Sequence, residues 1–185
     1  MKRRTVLAGV AGSTATALTG CLGNRTGDSS NGSAEMAFSL ASVDDDPEDL
    51  SFEVEVIDEV LSDGSVPTFD VAVENVGEET AEWTGTGDEF AFPPRSVTDE
   101  LVIGTEDEVT ASLIDEDGCA RTEWGIGRDD IKIETALEPA ESMEQRYAVA
   151  GVDEEMDEPC PESGTYRTEY EYGGHGTWGF EFAVE

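Results

Sequence analysis

The sequence predicts an all-β protein, a sandwich or barrel of antiparallel strands, on three observations. From residue 36 onward, nearly every patterned segment alternates apolar and polar residues with period two. Clusters of Gly, Asn and Asp separate these segments at roughly 8–12-residue spacing, the rhythm of sandwiches and barrels. No stretch beyond residue 36 holds a helical period over about 11 residues.

Each element follows from that pattern. Phe52, Val54 and Val56 alternate with Ser51, Glu53 and Glu55, and Phe69, Val71 and Val73 with Asp70, Ala72 and Glu74. Both read as half-buried strands. Val109, Ala111 and Leu113 alternate with Thr110 and Ser112, which predicts another strand, as do Ile131 and Ile133 around Lys132 and Glu134. Tyr166, Tyr170 and Tyr172 share one face against Arg167, Glu169 and Glu171, and Trp178, Phe180, Phe182 and Val184 share another. The turns fall at Ser62-Asp63-Gly64, Asn75-Val76-Gly77, Asp115-Glu116-Asp117-Gly118 and Gly173-Gly174-His175-Gly176. The last joins two aromatic strands and predicts a closing hairpin.

The N-terminus reads as an address rather than as fold. Lys2, Arg3 and Arg4 precede a mildly apolar, uncharged run from Val6 to Leu18, shorter than the roughly 20 apolar residues a spanning helix needs. That is the layout of an export signal, and Arg3-Arg4 resembles a twin-arginine signal. Leu18-Thr19-Gly20-Cys21 resembles a lipobox, after which the chain is cut and the cysteine lipidated. The expected organisation is therefore a signal peptide over 1–20, a lipidated tether over 21–35 and one β domain over 36–185. The tether is rich in Gly, Ser and Asn and predicts flexible coil with a mean reach of about 20 Å. Asn24 and Asn31, two of the chain's three asparagines, both sit in N-glycosylation sequons there.

Composition narrows the setting. There are 44 Asp and Glu against 10 Lys and Arg, a net charge of −34. Three of the basic residues precede Cys21, and Lys132 is the one lysine after it. The aliphatic and aromatic strands argue against an acidic disordered tail. Such a charge excludes nucleic-acid binding and electrostatic attraction to an anionic membrane. Abundant carboxylates with scarce lysine resemble haloarchaeal proteins, whose self-repulsion is screened by molar salt. With Cys21 lipidated, Cys119 and Cys160 remain as a pair for an oxidising compartment, and their bridge predicts about 4 kcal/mol from a loop of about 40 residues.

One family resemblance rests on FDVAVENVGEETAEWTGTGDEFAF, LEPAESMEQRYAVAG and SGTYRTEYEY. These are similar to the immunoglobulin-like β-sandwich of the intracellular proteinase inhibitor (BsuPI-type) domain. The matching positions are Asn75 and Gly77, Phe90 and Phe92, Leu137, Pro139 and Glu141, and Gly164, Thr165 and Tyr166. They span roughly half the chain. The resemblance implies an immunoglobulin-like antiparallel sandwich. The chain departs from the family in Cys119, Cys160, the acidic segment 98–130 and its export signal, and as a whole it resembles a haloarchaeal surface lipoprotein.

Candidate chemistry is sparse. The single histidine, His175, lies in a glycine turn with nothing in sequence to orient an imidazole as a base. Carboxylate pairs are too numerous to single out, and Asp115-Glu116-Asp117-Gly118 lacks the ligands of a calcium loop. Asp44-Asp45-Asp46 reads as a solvated loop or weak cation site. Tyr166, Tyr170 and Tyr172 are the candidate ligand face, while Trp178 and the phenylalanines fit core packing; Trp83 and Trp124 are isolated. No catalytic residue, metal ligand or cofactor is expected. The expectation is a monomeric, lipid-anchored module on the outer face of the cell membrane. It would be held by the lipid alone and meet an unidentified protein partner. A protease inhibitor of BsuPI type and a carbohydrate- or cation-binding module are the alternatives.

Overall fold

The computed structural model describes residues 36–185 except 63–64, 87–90, 94, 99, 112, 115–119, 123–131 and 153–159. Its elements are β1 (Met36–Val43), β2 (Leu50–Asp58), β3 (Val60–Leu61), β4 (Thr68–Asn75), β5 (Ala81–Thr86), β6 (Arg95–Ser96) and β7 (Leu101–Thr105). There follow α1 (Glu106–Ala111), β8 (Leu113–Ile114), β9 (Arg121–Thr122), β10 (Lys132–Leu137), β11 (Ser142–Val152), β12 (Gly164–Glu171) and β13 (Thr177–Val184). The predicted all-β architecture is what the chain adopts. A four-stranded antiparallel sheet runs β12-β13-β1-β3, and a larger one runs β2-β4-β11-β7-β6. β9 joins β11 in parallel and carries β8, while β5 and β10 form a separate antiparallel ribbon.

The two main sheets face each other across an aromatic core. Phe52 of β2 stacks on Trp178 of β13 with ring centroids 4.1 Å apart. Phe69 of β4 lies 5.9 Å from Phe38 of β1 and 5.4 Å from Phe180 of β13. The alternation read from sequence sets these faces: Phe69, Val71 and Val73 are fully buried, as are Trp178, Phe180 and Phe182. Such rings each remove 150–250 Å² from water, so they dominate the packing. Phe92, from the segment between β5 and β6, enters the same core, 5.7 Å from Phe180 and 6.4 Å from Tyr147. Its amide donates to Tyr147 Oη at 2.8 Å.

The closing hairpin forms as expected. β12 and β13 pair from Gly164↔Val184 to Glu171↔Thr177, closed by a 3-10 turn over Gly173–His175. Gly173 and Gly176 take φ of +57° and +107°, conformations that glycine adopts without steric cost.

One element differs. Val109, Ala111 and Leu113 do not share a strand, because residues 106–111 form the helix α1. Thr105-Glu106-Asp107-Glu108 is a capping box. Glu108 N bonds Thr105 Oγ1 at 3.4 Å, and Thr105 N and Oγ1 both donate to Glu108 Oε2, at 3.3 and 2.7 Å. These bonds satisfy amides that a helix start otherwise leaves orphaned. The helix covers the outer face of the larger sheet. Val109 packs there with Val102, Ala148, Ala150 and Val152 in a second small core. β7 and the end of β11 are consequently buried on both faces.

Candidate functional site

Tyr166, Tyr170 and Tyr172 are the sequence's candidate ligand face; the structure places Tyr172 in the core and packs the half-buried Tyr166 and Tyr170 against it. They follow the inner phase of the sheet, since Tyr166 pairs with Phe182 and Tyr170 with Trp178. Tyr166 stacks on Phe182 at 5.6 Å, and Tyr170 meets Phe92 edge-on at 6.4 Å. All three hydroxyls donate to backbone carbonyls: Tyr166 to Glu162, Tyr170 to Thr84 and Tyr172 to Ala91. Tyr172 is fully buried, and burial raises its phenol well above the usual range. Core packing takes the whole of Tyr172, while Tyr166 and Tyr170 keep a partly exposed ring with the hydroxyl tied to backbone.

The acidic run before β2 is also committed. Asp44 receives two bonds from Arg167, at 3.1 and 2.7 Å, and this pairing holds its carboxyl below the usual carboxylate range. Asp46 accepts from Ser51 Oγ at 2.9 Å and from the Phe52 amide at 3.0 Å, so it caps the start of β2. His175 Nδ1 lies 3.6 Å from Asp49 Oδ2, linking the closing hairpin to the β1–β2 loop.

Asn75, legible in sequence as a turn residue, is also a bonding hub. Asn75, fully buried at the end of β4, donates through Nδ2 to the carbonyls of Glu79 and Leu137, both at 2.8 Å. Its Oδ1 accepts from Gly77 N, and its own carbonyl accepts from Ala140 N. The Asn-x-Gly and Leu-x-Pro-x-Glu segments are thereby bonded to each other. Within the second, Glu141 N donates to Glu138 O, and Ala140 sits at φ +65°. An asparagine ahead of a turn was the available signal, but its second partner lies 62 residues away.

Two depressions carry carboxylates. On the outer face of the larger sheet, Glu53, Glu55, Asp70, Ala72 and Glu144 line a hollow of about 90 Å³, where Arg146 grips Asp70 with two bonds of 2.8 Å. Glu82, Trp83, Thr84, Glu134, Thr135 and Ala136 line an open groove of about 450 Å³ along the β5–β10 ribbon. Among the described residues no group of three or more His, Cys, Asp or Glu is placed to hold a metal ion, and no helix is long and apolar enough to cross a membrane. Cys160 is disulfide-bonded and packs against the main core. Cys21, Asn24, Asn31, Cys119, Trp124 and the Asp115–Gly118 turn lie outside the described residues. Comparison with known proteins gives no match to a family model, a curated protein or a solved structure.

Proposed function

We propose that this chain is an exported, lipid-anchored β-sandwich that acts by protein–protein contact, without catalysis, on the outer face of a haloarchaeal cell membrane. The observation that carries the reading is the N-terminal order of Lys2-Arg3-Arg4, an uncharged small-residue run and Leu18-Thr19-Gly20-Cys21, ahead of a tether and one domain. Cys21 takes the lipid, Asn24 and Asn31 are glycan acceptors, and Cys119 pairs with Cys160. The domain's part is to present a pre-formed surface. Support for that comes from the way the residues best suited to chemistry are used internally: Tyr172 and Tyr147 in the core, Asp44 and Asp46 as strand partners, and His175 on Asp49. Cys21→Ser tests the anchor. The substituted chain is expected in the soluble fraction of cells fractionated at native salt, and an unchanged membrane fraction would refute the reading.

A second reading, a protease inhibitor of BsuPI type, draws on the bonding of Asn75 to the Leu137–Glu141 turn, which joins two segments of that resemblance. A fold supports many functions, so inhibition needs its own test. Secreted halophilic proteases that keep full activity in a large excess of the protein would exclude it.

A further inference from the structure

β12 ends the four-stranded sheet, and among the described residues it pairs with β13 alone. Hydrogen bonds along β13 fix the phase of its backbone. Ala37 and Glu185 exchange N–H···O bonds in both directions, at 2.7 and 2.9 Å, and Asp44 N donates to Gly179 O. Odd-numbered residues of β13 therefore bond towards β1 and even-numbered ones towards β12. Tyr172 N bonding Gly176 O at 2.7 Å agrees. So does Gly179 opposite Glu169, where a Cβ would meet the Glu169 Cα at 2.7 Å, the close approach of a pair without mutual hydrogen bonds. The amides and carbonyls of Thr165, Arg167, Glu169 and Glu171 consequently point to the side of β12 on which no described strand pairs.

That edge has a symmetric sequence. Reading outward from Thr168, Arg167 faces Glu169 and Tyr166 faces Tyr170. We propose that β12 pairs with β12 of a second copy, antiparallel, with the two-fold axis through the two Thr168 residues, so that one continuous sheet runs across a homodimer. In this register Arg167 lies opposite the second copy's Glu169 twice over, and the edge groups of both residues exchange backbone bonds. The neighbouring registers are penalised. Moving the axis to Glu169 sets two glutamates opposite each other, and moving it to Arg167 does the same with two arginines; directly opposed like charges destabilise a ladder. Both side chains can reach a partner, being 41% exposed for Arg167 and 53% for Glu169. Arg167 bonds Glu169 of its own chain and Asp44, which lies on the β1 side of β13, so its guanidinium has to exchange Asp44 for the second copy's Glu169 when the edges meet. Molar salt weakens the long-range repulsion of two such acidic bodies more than it weakens charges in direct contact, so the dimer belongs to high salt. The pairing replaces the expectation of a monomer and does not depend on the lipid anchor.

Sedimentation velocity on the full-length chain carrying Cys21→Ser, in molar KCl over a wide concentration range, tests it without any lipid-driven association. The expected result is concentration-dependent conversion to twice the chain mass. Glu169→Pro removes an edge-facing amide and leaves the β12–β13 ladder intact, so it should remain monomeric and melt where the unsubstituted chain melts when dilute enough to be a monomer. Arg167→Glu should weaken the dimer about tenfold or more, and Arg167→Glu/Glu169→Arg should recover it. A single-chain mass at every concentration overturns the proposal, as does a dimer indifferent to Glu169→Pro in a folded protein. If the proline variant melts early, the charge pair decides, and a double variant as defective as Arg167→Glu overturns the proposal.

Discussion

Asn75 is a fully buried polar residue that bonds three segments of the fold. It joins the end of β4, the β4–β5 turn and the end of β10 through one buried amide. Replacing it by alanine leaves the Leu137 carbonyl without its donor in a buried site, while the Glu79 carbonyl, at a part-buried bond, can turn to water. Loss of a buried partner costs on the order of 1–3 kcal/mol, so Asn75→Ala is expected to destabilise the domain by about 2 kcal/mol. Denaturant unfolding in molar salt measures this, and a change within experimental error would show that the hub is dispensable. Gly179 makes a similar point about backbone. A Cβ there would sit 2.2 Å from the Thr168 carbonyl oxygen, so the close approach of β12 and β13 requires glycine. The neighbouring apolar alternation marks a strand, yet no one-dimensional pattern marks this contact.

At the scale of elements, α1 and β4 contrast sharply. β4 alternates because one of its faces meets the core and the other meets solvent. Residues 109–113 alternate as well, but the capping box at Thr105–Glu108 starts a helix before a strand can form. Local hydrogen bonding outweighed a short period-two pattern. Thr105→Ala should cost about 1 kcal/mol and loosen α1 in particular. Hydrogen exchange at the Val102 and Ala150 amides, beneath the helix, should quicken before that of β4. Uniform loss of protection across both sheets would mean that α1 is not an independent cover. The tyrosines of β12 show the converse case. Their shared face was legible, but which layer that face met was not, and it met Phe182 and Phe92.

On the scale of the molecule, surface charge sets the conditions under which the fold holds. Glu55 lies directly opposite Asp70, and Glu53 and Glu144 flank Ala72 on the same outer face, where Arg146 pairs with Asp70. Like charges opposed across a ladder destabilise it unless screened. The Debye length is roughly 3 Å at 1 M salt and about 10 Å at 0.1 M, so dilution lets these groups repel. The melting temperature is expected to fall as salt is lowered from molar to about 0.1 M. KCl and NaCl should restore it alike, because screening depends on ionic strength. A strong preference for one cation would point to a specific site instead, and a melting temperature independent of salt would remove the argument.

By itself the sequence determined the all-β class, the turn after β4 and the one between β12 and β13, the aromatic inner face of β13 and the acidic composition. Each depends on period, turn chemistry or composition within a few residues. The tertiary structure alone decided that the β12 tyrosines pack inward, that Asn75 binds a turn 62 residues along the chain, and that among the described residues β12 ends a sheet. Those outcomes depend on which segments become neighbours. Pairing across long sequence separations follows from the cooperative burial of a shared core, which no local window contains.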